Sequence, residues 1–186
     1  MKLTNQQTLH TSINQVWEAL NNPDVLQECI PGCESFNAIS PNHYEMTVLA
    51  AIGPVKAKFK GKLTLSDIQV PTSYKINFEG QGGAAGYGKG SAIVTLEETT
   101  DDETILHYTA NASVGGKIAQ IGQRLVDMAA QRMATDFFKK FNTVLETKRD
   151  LSETEQTEAT NIDPTAADDD NWLGRSKRWL KNLSNS

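Results

Sequence analysis

No run of about 18 apolar residues occurs in the 186-residue sequence, so no membrane-spanning helix is expected. The first ten residues, Met1 to His10, lack the apolar centre of a secretory signal. A cytosolic protein is therefore expected. Cysteine and histidine are scarce: Cys29 and Cys33, with His10, His43 and His107, offer no zinc-ligand spacing. In a reducing compartment the two thiols are expected to be free and structural. Basic residues are outnumbered, 18 to 23, for a net charge of −5. This balance argues against a nucleic-acid binder, which needs cationic surface to displace counterions from phosphates.

What is present fits one ordinary domain with an appendage. Hydrophobic residues make up 38% and charged residues 22%, slightly polar for a compact domain, so part of the chain is expected to lie outside any core. Charge is segregated. Residues 1–150 carry 14 basic and 16 acidic side chains, residues 151–170 seven acids and no base, and residues 171–186 four bases and no acid.

Lys2 to Thr11 predicts a strand, and Ser12 caps a short amphipathic helix through Ile13, Val16, Trp17 and Leu20. Asn21, Asn22 and Pro23 end it, and Asp24 to Ile30 predicts a second short helix stopped by Pro31-Gly32. From Cys33 the period becomes two. Tyr44, Met46, Val48, Ala50 and Ile52 share one strand face; beyond Gly53-Pro54, Val55, Ala57, Phe59, Gly61, Leu63 and Leu65 alternate with Lys56, Lys58, Lys60, Lys62 and Thr64. Three more strands follow, Ser73 to Gly80, Tyr87 to Glu98 and Thr104 to Val114, the last two joined across Asp101-Asp102. Gly115-Gly116 opens a long helix expected to run unbroken to about Lys148, with Ile118, Ile121, Leu125, Met128, Phe137, Phe141 and Leu145 at helical spacing. The order predicts an α+β fold, a curved antiparallel sheet gripping one long helix with room for an apolar cavity between them.

Four stretches carry a resemblance: Ile30-Pro31-Gly32-Cys33-Glu34, Gly53 to Gly61, the glycine-rich Gly80 to Gly90, and Gly115 to Gly122. Together they resemble the START-like (SRPBCC) superfamily and, within it, the CoxG family of carbon monoxide dehydrogenase subunits, from Lys2 to about Lys148. The resemblance implies a START-like helix-grip fold with an internal apolar cavity. It also implies a role in recruiting a cytosolic molybdenum hydroxylase, such as carbon monoxide dehydrogenase, to the cytoplasmic membrane, where electrons pass to quinone. No covalent cofactor is implied; a bound isoprenoid quinone or lipid is the expected ligand.

Small and large apolar residues share the inward faces, as with Ala57, Gly61 and Ala110 beside Phe59, Phe78 and Tyr108. That mixture suggests either an open cavity or a closed core. The expected ligand-binding residues are Tyr44, Met46, Val48, Ala57, Phe59, Phe78, Tyr108, Ala110, Ile118, Ile121, Leu125 and Met128. The run Gly82 to Gly90 lacks a following Lys-Ser/Thr and leads into a strand, so a flexible hairpin or bulged strand entry is expected there, and a phosphate loop is not. No carboxylate pair falls on the inward faces, and the histidines fall on the opposite ones, which leaves no proton-transfer pair. A non-enzymatic carrier is therefore expected, with a START-like cavity enzyme on a lipid-like substrate, of cyclase or hydrolase type, and a ligand-free adaptor as alternatives. Lys56, Lys58, Lys60 and Lys62 form a row suited to solvent or to an acidic partner.

Residues 1–148 are the expected START-like domain. Residues 149–170, nearly devoid of large apolar side chains, are the expected acidic disordered linker. Residues 171–186 predict a basic amphipathic helix: at 100° per residue, Trp172, Trp179, Leu183, Leu180 and Leu173 fall within an arc of about 120°, with Arg175, Lys177, Arg178 and Lys181 opposite. A helix of about 20 Å is too short to span the bilayer and is expected to lie in an anionic membrane surface, or else in a protein groove. The expected localisation is cytoplasmic, peripheral on the inner face of the cytoplasmic membrane.

Overall fold

The computed structural model describes residues 1–159. Residues Met1–Asp150 form one compact unit. Strand β1 (Lys2–Leu9) leads into helices α1 (Ile13–Leu20) and α2 (Pro23–Cys29), followed by strands β2 (Cys33–Ser40), β3 (His43–Ile52), β4 (Val55–Gln69), β5 (Ser73–Gln81), β6 (Tyr87–Thr100) and β7 (Glu103–Gly115). Helices α3 (Lys117–Gln120) and α4 (Gln123–Ala159) complete the described chain. The sheet is seven-stranded and antiparallel, in the order β1-β7-β6-β5-β4-β3-β2. The expected curved sheet and long helix are both present.

Local chemistry explains the corners. The Ser12 side chain accepts from the Gln15 N–H at the start of α1, and Asn22 accepts from the Asp24 and Val25 N–H groups ahead of Pro23 at the start of α2. At the end of α2, Gly32 has φ +73°, and a Cβ there would lie 2.2 Å from the Leu49 carbonyl oxygen. Only glycine lets β2 start so close to β3. The buried Thr104 hydroxyl donates to the Thr11 carbonyl at 2.9 Å, tying the start of β7 to the β1–α1 corner.

The final helical region differs from the unbroken helix expected. Gly122, at φ +94°, separates α3 from α4. The helix also passes Lys148 and continues to Ala159; no glycine or proline lies between Gly122 and Pro164 to stop it. The rest of the expected linker, and the terminal segment with Trp172, Leu173, Arg175, Lys177, Arg178, Trp179, Leu180, Lys181 and Leu183, lie outside the described residues.

Helix α4 inserts Phe138, Phe141 and Leu145 into one cluster with Leu9, Val16, Leu65, Tyr74, Val94 and Leu106. Phe141 is fully buried and stacks on Phe137, centroids 5.6 Å apart. The α4 turns before Phe137 contribute less to the core: Leu125 and Met128 are 41% and 57% exposed. On the other sheet face the cross-strand partners Glu45, Lys62, Glu79 and Lys89 alternate in sign across β3 to β6.

Candidate functional site

Between the sheet and the helices lies an apolar cavity of about 240 Å³. The sheet contributes Leu63 and Leu65 from β4, Tyr74 and Ile76 from β5, Ala92 and Val94 from β6, and Leu106 and Tyr108 from β7. Phe36 and Tyr44 close one side, Leu20, Leu26 and Ile30 come from the α1–α2 segment, and Phe137 and Phe138 cap it from α4. Tyr108 stacks on Phe138 at 5.3 Å, Tyr44 packs against Phe36 at 5.4 Å, and Trp17 meets Tyr74 edge-on at 5.4 Å. Rings in these geometries hold one another in place.

The polar groups on the wall are three phenols. Burial pushes the Tyr74 hydroxyl well above the usual tyrosine range, helped by the nearby Tyr44, and raises Tyr108 against a hydrogen bond with the Asn5 side chain. Tyr74 and Tyr108 are thus neutral hydroxyls at physiological pH. The histidines lie elsewhere: His10 is 3.7 Å from Glu103, His107 is 3.5 Å from Glu97, and His43 contacts the Pro41 carbonyl. No group of three or more potential metal ligands occurs among the described residues. The wall presents carbon almost throughout and suits flat or branched apolar matter, and its residues supply no general base.

The family model for CoxG, a subunit of carbon monoxide dehydrogenase, matches residues 6–146. The chain belongs to the CoxG family. No curated protein matches. Among solved structures, a conserved protein from Geobacillus kaustophilus is 33% identical, with a TM-score of 0.75 over 79% of this chain and 96% of that one. A START superfamily protein from Mycobacterium smegmatis is 11% identical (TM-score 0.62, covering 78% and 97%). The Zhui aromatase/cyclase from Streptomyces sp. R1128 is 12% identical (TM-score 0.59, covering 78% of this chain and 93% of that one). At these lower identities the likeness establishes the START-like fold alone.

In this CoxG protein the cavity sits nearer the α1–α2 end of the sheet than the sequence implied. Of the twelve expected ligand residues, Tyr44 and Tyr108 line it. Three others lie flat over glycines. A Cβ on Gly61 would come within 3.0 Å of Met46, one on Gly82 within 2.3 Å of the Phe59 ring, and one on Gly90 within 2.8 Å of Phe78. The space over Gly61, one of the small inward residues that suggested room, is filled by Met46, and that over Gly82 and Gly90 by Phe59 and Phe78. Val48 is buried outside the wall, Ala57 is half-buried on β4, and Ala110 is half-buried on β7 opposite the wall residue Ala92. Ile118, 2% exposed, packs from α3; Ile121 and Leu125 approach the Gly53 turn, and Met128 is mostly exposed. The missed wall residues left a partial trace: Leu63, Leu65, Tyr74, Ile76 and Leu106 are in phase with the inward faces, and Leu26 and Ile30 are four apart on α2 and its C-cap.

The CoxG glycine run forms the expected hairpin. A 3₁₀ turn at Gly83–Ala85 joins β5 to β6, and the Gly82 N–H bonds the Gly86 carbonyl at 2.7 Å. A Cβ on Gly86 would stand 2.0 Å from the Gly115 oxygen, so close backbone approach explains a glycine there. The lysine row is partly paired, with Lys58 and Glu34 at 2.7 Å. A wider polar groove of about 700 Å³ opens beside Lys62, Glu79 and Lys89, whose alternating signs build no strong field for an ionic ligand.

Proposed function

We propose that this CoxG protein is a non-enzymatic accessory factor that binds an apolar ligand, an isoprenoid quinone, and couples a cytosolic molybdenum hydroxylase such as carbon monoxide dehydrogenase to the cytoplasmic membrane. The observation that carries the ligand half is the carbon-lined cavity between sheet and α4. Its volume is below the range of about 300–1,000 Å³ typical of drug-sized ligand sites. It suits a ring-sized head group better than a whole long-chain lipid. Membership of the CoxG family supports the choice of partner. The Trp- and Lys/Arg-bearing pattern of residues 171–183 supports attachment to an anionic surface. No described helix is long and apolar enough to cross a membrane.

Native mass spectrometry of the gently purified full chain tests the reading directly. The expected spectrum contains the protein mass plus one quinone, and the adduct is lost on extraction with organic solvent. A spectrum of bare protein, combined with no calorimetric response to an added short-chain quinone, would favour a ligand-free adaptor.

A further inference from the structure

The two ends of the sheet differ in charge. The β3–β4 turn at Gly53-Pro54, the β5–β6 turn at 82–86 and the end of β7 share one end. They meet the α3–α4 junction there: a Cβ on Gly53 would lie 3.5 Å from Leu125 and 3.6 Å from Ile121, and one on Gly116 would lie 2.6 Å from the Gly86 backbone. Across residues 51–57, 82–88 and 115–128 the charged side chains are Lys56, Lys117, Arg124 and Asp127. The three bases are exposed and form no ion pair among the described residues, and Asp127 already accepts from the Gln123 side chain. At the other end the turns at 38–44, 67–73 and 99–104 carry Asp67, Asp101, Asp102 and Glu103 and no lysine or arginine, and Arg149 of α4 bonds the nearby His10 carbonyl.

The basic end also exposes carbon. Leu125 and Met128, neighbours on one face of α4, are 41% and 57% exposed, and Tyr87 is 46% exposed over Gly115. Apolar side chains among unpaired bases, in a chain of net charge −5, match a surface that is anionic and also takes in carbon. A lipid leaflet does both without a shaped counterpart: tyrosine and long side chains settle at the head-group level while lysine and arginine reach phosphates. We propose that this end of the domain, centred on the Gly53 turn and the start of α4, docks on an anionic leaflet as a second membrane contact, separate from the terminal segment. The proposal rests on the membrane half of the reading above and extends it to the folded domain. A single weak signal gives marginal, reversible attachment and two together hold a peripheral protein, so this contact adds to the terminal segment and does not replace it.

The test uses the full chain and vesicles of equal parts phosphatidylglycerol and phosphatidylcholine. Amide hydrogen exchange should slow at residues 51–57 and 117–128 when vesicles are added and stay unchanged at 99–104. Lys117→Gln with Arg124→Gln should weaken vesicle binding about tenfold at low salt and much less at high salt. Met128→Gln should weaken it about threefold at every salt, whereas Val70→Gln, at an apolar residue 71% exposed at the acidic end, should change nothing. All four positions are exposed, so the melting temperature should hold in each variant. Unchanged exchange at 51–57 and 117–128 on vesicles that do bind the intact chain would overturn the contact and leave attachment through the terminal segment standing. Wild-type binding by the Lys117/Arg124 double variant at low salt would do the same. Protection of these residues by carbon monoxide dehydrogenase and not by vesicles would overturn it in favour of a protein-docking face. If the intact chain binds no vesicles, the membrane reading fails and this contact with it.

Discussion

At the scale of single residues, burial decides both packing and reactivity. Phe141 is fully enclosed and stacked on Phe137, so Phe141→Ala should cost about 3–5 kcal/mol, read as a lower midpoint in urea unfolding. Cys29 is also fully buried, and its thiol is pushed up to about 11, first by desolvation and then by the neighbouring Glu28. The folded state therefore holds this proton more tightly than the unfolded chain does. Its stabilising contribution is fully present below the ordinary thiol value of 9.0 and is lost as pH rises from there through about 11. Urea titrations between pH 8 and 11 should show that decline, on the order of 2 kcal/mol from this group, and Cys29→Ala should lack that component. Cys33 is half-buried and donates to the Ser35 carbonyl. A thiol reagent at pH 8 should modify Cys33 well before Cys29.

At the scale of elements, glycines set where strands and helices approach. A Cβ on Gly90 would meet the Asn111 carbonyl oxygen at 2.2 Å and the Phe78 ring at 2.8 Å. Gly122 has φ +94° but open space around it. Gly90→Ala should therefore destabilise by several kcal/mol through forced movement of β6 against β7, and Gly122→Ala by only about 1–2 kcal/mol of backbone strain. Thermal unfolding of the two variants side by side checks the ordering; equal losses would contradict it. The same glycines show why the elements were legible and the site less so. Strict alternation from Val55 to Leu65 identified the covered face of β4, and strand order followed from short hairpins. A pattern along one strand cannot show whether the space over Gly61, Gly82 and Gly90 is empty or occupied by Met46, Phe59 and Phe78, because those neighbours arrive through strand pairing and loop packing. Nor does the periodicity of Ile118 to Met128 reveal the break at Gly122, beyond which Leu125 and Met128 keep substantial exposure. Tyr44 and Tyr108 were legible because both are large and in phase with the inward faces, Tyr108 stacking on Phe138 of α4 and Tyr44 packing on Phe36.

At the scale of the whole molecule, the proposed function requires two separable activities: binding in the cavity of the Met1–Asp150 unit and attachment through the terminal segment. Deleting residues 172–186 should release the protein from anionic vesicles and leave quinone-analogue affinity and melting temperature unchanged, because the cavity wall is built from residues 20–138. Within the segment, apolar and ionic contributions differ in their response to salt. Trp179→Ala with Leu183→Ala removes two members of the apolar arc and should abolish most flotation at every ionic strength, since burial of apolar surface is only weakly screened. Arg175→Ala with Lys181→Ala removes two charges worth about 1 kcal/mol each near an anionic surface, so binding should weaken strongly at low salt and little at high salt, where the Debye length falls to about 3 Å. Vesicle flotation of the full chain and the two double variants, from roughly 10 mM to about 1 M salt, separates these contributions. If the intact chain stays with the soluble fraction at all salts but captures its oxidoreductase only when residues 172–186 are present, the segment is a protein-docking element, and recruitment to the membrane must come from the partner.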